Sequence, residues 1–287
     1  MTSAKDRRRA PVRRCAFCGL SGGMTNEHVW PQWLRQLAGE LEPVRFAHTA
    51  GFERSAADAF REMRTVTVQQ PGSVLNLVAR AVCARCNSGW MSRLEERVRP
   101  LLLGLVEAAY TGAPLVLAPA QAAVVAAWAV KTAWMREFTS PSRSSTAQMR
   151  HSLYQRLLPP EFSMVWAARH VGELDFDILQ AVVSIARYDR RWDDGNTRRA
   201  QWTCLTFRGI ALLVYTVDGW GVPPPQRNPA LWVPLWPSVA AVRFPPPTTI
   251  DDSGVKMAVA RHTPWLRLPD VPRFERDGQG PRFIRRN

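Results

Sequence analysis

Four cysteines constrain this chain more than any other feature. Cys15-Ala-Phe-Cys18 and Cys83-Ala-Arg-Cys86 are two Cys-x-x-Cys pairs, and the fifth cysteine, Cys204, lies alone in an apolar run. Two such pairs are the usual way to surround one zinc ion with four thiolates. A redox pair would occur once, at the start of a helix after a strand, and not twice. Cys15, Cys18, Cys83 and Cys86 are therefore expected to close on a structural Zn²⁺. That ion would tie residue 15 to residue 86 whatever lies between.

Between the pairs lies Thr25-Asn-Glu-His28-Val-Trp-Pro31, and Asn87 follows Cys86 directly. Gly19 supplies a permissive backbone after the second cysteine. Met24 to Val29 is expected as a short strand that carries Glu27 and His28 to its end. Pro31 suits the first turn of a helix over Pro31 to Ala38. Residues 39–62 show no period and are expected as an insertion, which holds His48 and could fold back over the site. Thr65 to Gln69 alternates, Pro71-Gly72 turns the chain, and Val74 to Val82 is the expected returning strand. From Asn87 the spacing of Met91, Leu94, Val98 and Leu101 is helical.

Downstream, Pro100 is expected to open a second helix, Leu101 to Tyr110. Gln121 to Phe138 is expected as a long helix and residues 145–158 as a third. Lys131 sits on an apolar face of the long helix. It either snorkels, pairs with an acid or reaches a phosphate. After Pro159-Pro160, the runs Ser163 to Val171, Phe176 to Tyr188, Ala200 to Phe207 and Ile210 to Val217 suggest an antiparallel β region. Leu235 to Phe244 adds one more candidate strand. The expected fold class is α+β. The expected organisation is a basic arm (1–14), a zinc-bearing module (15–100), a helical segment (101–158), a β-rich domain (159–270) and a loose basic tail (271–287).

The formal net charge is +14 over 287 residues, with a sequence pI near 10.8. All but Lys5, Lys131 and Lys256 of the basic residues are arginine, which bonds phosphate in a bidentate manner. The expected partner is therefore a polyanion, most simply nucleic acid. Residues 1–14 could lie along a phosphate backbone or stay a solvated tail. The first residues lack a secretory apolar core, and the longest apolar run is too short to span a bilayer. Cytoplasmic location without membrane attachment is the expectation. No Gly-rich phosphate loop, dinucleotide fingerprint or Ser-His-Asp arrangement is present, which argues against an NTPase, a redox enzyme or a serine hydrolase. His151, His170 and His262 have no partner motif and read as ordinary structural histidines.

Taken together, Cys-x-x-Cys, Glu-His-x-x-Pro and Cys-x-x-Cys-Asn before a helix resemble the HNH endonucleases, whose fold is a ββα-metal module. The run Cys86-Asn-Ser-Gly-Trp-Met-Ser-Arg-Leu-Glu95 resembles a bacterial and phage subgroup. The resemblance covers residues 15 to about 100. It implies that His28 is the general base, that Glu27 and Asn87 hold one catalytic Mg²⁺ or Mn²⁺, and that a middle Asn orients the His loop. Asn76 is the candidate for that Asn, with Asn26 as its rival. DNA is the implied substrate. The stretch from His28 to Asn87 is longer than usual, Asn87 stands where a His is commoner, and Asn76 is off the usual spacing. Two alternatives differ in class. One is a non-catalytic zinc-knuckle module that binds nucleic acid. The other is the nuclease effector of a phage or defence system, with a protein partner met through the C-terminal region.

Overall fold

The computed structural model describes residues 13–38, 49–50, 66–67, 74–140, 143–185, 198–218, 227–260, 274–277 and 280–283. Most of the arm (1–14), most of the insertion including His48, and most of the tail (271–287) lie outside them. So does His262. No helix among the described residues is long and apolar enough to cross a membrane.

The fold is α+β. Its first part holds β1 (Met24–His28), a short 3-10 turn at Gln32–Leu34, α1 (Arg35–Ala38), β2 (Thr49–Ala50), β3 (Val66–Thr67) and β4 (Val78–Cys83). β1 pairs antiparallel with β4, from Met24 opposite Cys83 to His28 opposite Val78. β2 pairs with β3. The expected pairing of the 65–69 run with the 74–82 run therefore does not form. β4 reaches past the insertion to β1, and the register draws the two cysteine pairs together.

A widened helical turn at Cys86–Met91 then leads into α2 (Ser92–Thr111). α2 is one helix, not the two expected on either side of Pro100. Proline inside a helix removes one hydrogen bond and costs stability. Here the buried stripe Leu94, Val98, Leu102, Leu105, Ala108 and Ala109 carries the helix through it. The expected module boundary near residue 100 thus falls within a continuous helix. Gly112, with φ +73°, ends it in the left-handed conformation open to glycine.

β5 (Leu115–Leu117) precedes α3 (Pro119–Glu137), and α4 (Ala147–Arg156) follows. Every residue of α3 from Ala122 to Glu137 is buried. A helix apolar on nearly all sides belongs at the centre of a fold. α3 lies between α2 and one face of a sheet built from β6 (Ser163–His170), β7 (Asp177–Ile185), β8 (Arg198–Phe207), β9 (Ile210–Val217) and β10 (Val233–Trp236). The strand order is β10-β6-β9-β8-β7, all antiparallel, and β12 (Thr249–Ile250) joins the β6 edge in parallel. The Leu235 to Phe244 run forms two strands and not one: β10, and β11 (Val242–Phe244), which pairs with β5. Pro237 removes a ladder donor where the run divides. β13 (Phe274–Asp277) and β14 (Gly280–Phe283) pair with each other.

All eight residues of β9 are buried. Leu212 and Val214 join the core beneath α3, whereas Leu213 and Tyr215 join a second core covered by α5 (Asp252–Ala260). The first core is continuous from Cys15 through α2 and α3 to Phe244. The cysteine pairs and the β-rich region therefore share one apolar interior.

Candidate functional site

The cysteine frame is set by backbone. Cys15–Cys18 is a tight turn closed by Gly19 N–H donating to Cys15 O (3.0 Å), with Gly19 at φ +73°. Ala16 N–H donates to Ala81 O of β4 (2.9 Å), and Cys83 N–H donates to Cys15 Sγ (3.4 Å). The sulfurs of Cys15, Cys18, Cys83 and Cys86 all lie within 4.8 Å of one another, and Cys18 and Cys83 are 3.7 Å apart. Tetrahedral zinc with Zn–S bonds of about 2.3 Å separates its sulfurs by roughly 3.8 Å. The four cysteines can therefore hold a zinc ion.

Burial opposes ionisation of Cys15, but the amides of Cys18, Cys83 and Phe17 outweigh it and bring its pKa to about 7. Burial, together with the neighbouring Cys15, pushes the Cys86 thiol well up. Four thiols this close ionise together only around a cation. Helix α4 clamps the first knuckle from outside. Arg150 Nε donates to Ala16 O (3.0 Å) and His151 Nδ1 to Phe17 O (3.0 Å). His151 is thus a structural residue, as its lack of a motif suggested. Trp90 packs on Phe17 and on Tyr154 of α4, at 5.3 and 6.1 Å between ring centroids.

Beside this frame lies a cavity of about 390 Å³, walled by β1, the turn after it and the start of the helix. Glu27, His28 and Asn87 all line it. The β1–β4 register slips between Thr25 and Glu27, the kind of irregularity that re-aims side chains. Trp30, two residues past His28, is wholly buried against Trp128, Phe176 and Phe207, at 6.2, 6.2 and 5.7 Å between centroids. That anchor fixes the exit of β1 to α3 and the large sheet.

The orientation of Asn87 follows from hydrogen-bond logic. Thr25 Oγ1 donates to Val82 O (3.1 Å), so it can only accept from Asn87. Asn87 Nδ2 makes that bond (3.1 Å), and among the described residues no donor reaches its Oδ1, a hard oxygen. At His28, Arg35 Nη2 approaches Nδ1 (3.2 Å) while also donating to Leu75 O (3.0 Å). A guanidinium can only donate, so Nδ1 accepts and the neutral ring carries its proton on Nε2. Burial first, and then the Arg35 charge, hold the His28 pKa below its ordinary value against the pull of Glu27, of a hydrogen bond to the Leu75 carbonyl and of Glu95. That shift favours the neutral imidazole.

Glu27 is buried and paired. Lys131, whose side chain is wholly inaccessible, donates to Glu27 Oε1 (3.0 Å) and to Glu95 Oε1 (2.8 Å). Burial opposes its charge, but Glu95 and Glu27 together raise its pKa. Of the three expectations for Lys131, pairing with an acid is the one realised.

Asn76 ends a 3-10 turn (Val74–Asn76) just before β4, is exposed, and does not line the cavity; Asn26 does. The neighbours of Asn76 hold the His28 loop through their carbonyls. Leu77 O accepts from Val29 N–H (2.9 Å), and Leu75 O accepts from Arg35. The sequence reading passed over Arg35 and Glu95. For Glu95 a signal existed: a lysine on the apolar face of a central helix needs an acid, and Glu95 lies two helical turns past Asn87.

The chain matches no family model, no curated protein and no solved structure.

Proposed function

We propose that this chain is a metal-dependent endonuclease of the HNH type that hydrolyses phosphodiester bonds in DNA. The observation that carries this reading is convergence. Glu27 and His28 from the end of β1, and Asn87 from the helix start beyond the insertion, line one cavity beside a four-cysteine frame. Two antiparallel strands followed by a helix is also the element order that the sequence resemblance implies.

The cysteine site is structural in this scheme, because four thiolates leave no open position on zinc. His28 is the general base. Its lone pair is on Nδ1, where Arg35 donates to it in the free protein; once Arg35 turns to the substrate, that nitrogen takes a proton from water as the water attacks phosphorus in line. Arg35, beside Nδ1, is placed to meet a phosphate oxygen once the scissile group enters. Glu27 and the Oδ1 of Asn87 are hard oxygen donors of the kind Mg²⁺ or Mn²⁺ takes. When bound, the ion supplies positive charge for the crowded phosphate and the leaving 3′ oxygen. Arg99 stacks over Trp33, a cavity-wall residue, at 5.5 Å. With the net charge of +14, that supports a polyanionic substrate.

One observation favours a second reading, a zinc-knuckle module that binds nucleic acid without cutting it. The Lys131 ammonium already holds Glu27. A supercoiled-plasmid nicking assay with Mg²⁺ or Mn²⁺ separates the two. The nuclease reading expects nicking by wild type and none by His28→Ala. Equal behaviour of the two would overturn it, and salt-sensitive DNA binding without product would favour the binding module.

A further inference from the structure

The scheme above leaves one cavity-wall carboxylate without a role. Glu95 lies in the first turn of α2 and lines the same cavity as Glu27, His28 and Asn87. Its side chain leans toward the helix N-terminus, as helical side chains do, and so toward Asn87. Glu27 and Glu95 come from different elements and meet on a single ammonium, at 3.0 and 2.8 Å from Lys131 Nζ. Each carboxylate gives Lys131 its Oε1. Among the described residues no donor reaches the second oxygen of either. Glu27 keeps 10% and Glu95 21% of its side chain exposed, and both line the cavity.

Charge completes the argument. Among the described residues, two carboxylates share one ammonium in direct contact at the wall of a partly closed cavity, where excess negative charge favours a cation. The second carboxylate oxygens of Glu27 and Glu95 and the Oδ1 of Asn87 are the hard oxygen donors on this cavity wall. A small divalent ion takes one or two carboxylates and fills its remaining positions with water.

We propose that Glu95 would hold the divalent cation together with Glu27, with Lys131 holding the near oxygen of each. This inference rests on the metal-dependent reading and deepens it by naming a ligand that the motif resemblance does not assign. In the competing arrangement, Lys131 is itself the cation of this wall and no ion enters.

The test is a Mn²⁺ titration of the zinc-loaded full chain, with free Mn²⁺ followed by electron paramagnetic resonance. Wild type is expected to bind one Mn²⁺, and Glu95→Gln to bind it at least about tenfold more weakly. Equal affinity would overturn the role of Glu95 and leave the metal-dependent reading standing. No uptake by wild type would overturn both. Should Glu95→Gln fail to fold, a Mn²⁺-soaked crystal of the wild-type chain decides by anomalous scattering. An ion within about 2.5 Å of a Glu95 oxygen supports the proposal, and an ion elsewhere in the cavity overturns it.

Discussion

Lys131 on the central helix and Glu27 at the end of β1 form an ion pair of 3.0 Å, with the lysine wholly buried. The pair joins the cavity wall to the most buried element of the fold. Removing the lysine leaves Glu27 and Glu95 side by side with no counter-charge. Breaking a buried pair in this way costs about 3–5 kcal/mol. Lys131→Met is therefore expected to lose about that much stability in urea denaturation. A loss under about 1 kcal/mol would show that the pair is not a structural link.

The cysteine frame is expected to fail as a unit. Cys83→Ser removes one of four sulfurs within 4.8 Å and leaves an open, weaker metal site. Zinc content by elemental analysis and thermal stability should fall together. A variant that kept its zinc and lost only activity would contradict a structural metal.

The pH profile of cleavage follows from His28. Burial and then Arg35 hold its pKa below the ordinary imidazole value. A general base works unprotonated, so the rate should rise with pH through a midpoint below the ordinary imidazole value and level off above that midpoint. Arg35→Gln removes one of the two lowering causes and should move the midpoint upward. A wild-type midpoint above 7 would contradict His28 as the base in this environment.

Trp30 is wholly buried among Trp128, Phe176 and Phe207, so Trp30→Ala should cost about 3–5 kcal/mol. Asn76→Ala removes an exposed side chain away from the cavity. It should change stability by no more than about 0.5 kcal/mol and leave any nicking rate as it was. A large loss of activity in Asn76→Ala would return that residue to the site.

Much of the frame was legible in the sequence because its signals are local. Each Cys-x-x-Cys fixes two thiols within one turn, and β6 to β9 announce themselves as apolar runs between turn residues. What was not legible depends on packing between distant elements. Pro100 marked a helix start by local rule, yet the buried stripe from Leu94 to Ala109 keeps α2 whole. The Val74 to Val82 run reads as the partner of the run just before it, yet the strand that forms there, Val78–Cys83, pairs with β1. Asn76 was chosen by residue type, whereas the carbonyls of Leu75 and Leu77 hold the His28 loop, and carbonyls have no sequence signature. Lys131 carried the clearest clue, since a charge on an apolar face requires a partner. Only the packing of α2 and of the β1–β4 pair against α3 shows that the partners are Glu27 and Glu95.

The central claim is that the cavity walled by Glu27, His28 and Asn87 cuts DNA. Its most direct measurement pairs cleavage with binding on the same samples: single-turnover nicking of supercoiled plasmid in Mg²⁺ or Mn²⁺ beside DNA retention at fixed salt, for wild type and His28→Ala. The account expects both proteins to retain DNA equally and only wild type to nick it, with chelation of the divalent ion abolishing the product. Nicking by His28→Ala at the wild-type rate, or a wild-type chain that binds DNA and never nicks it, would contradict the account.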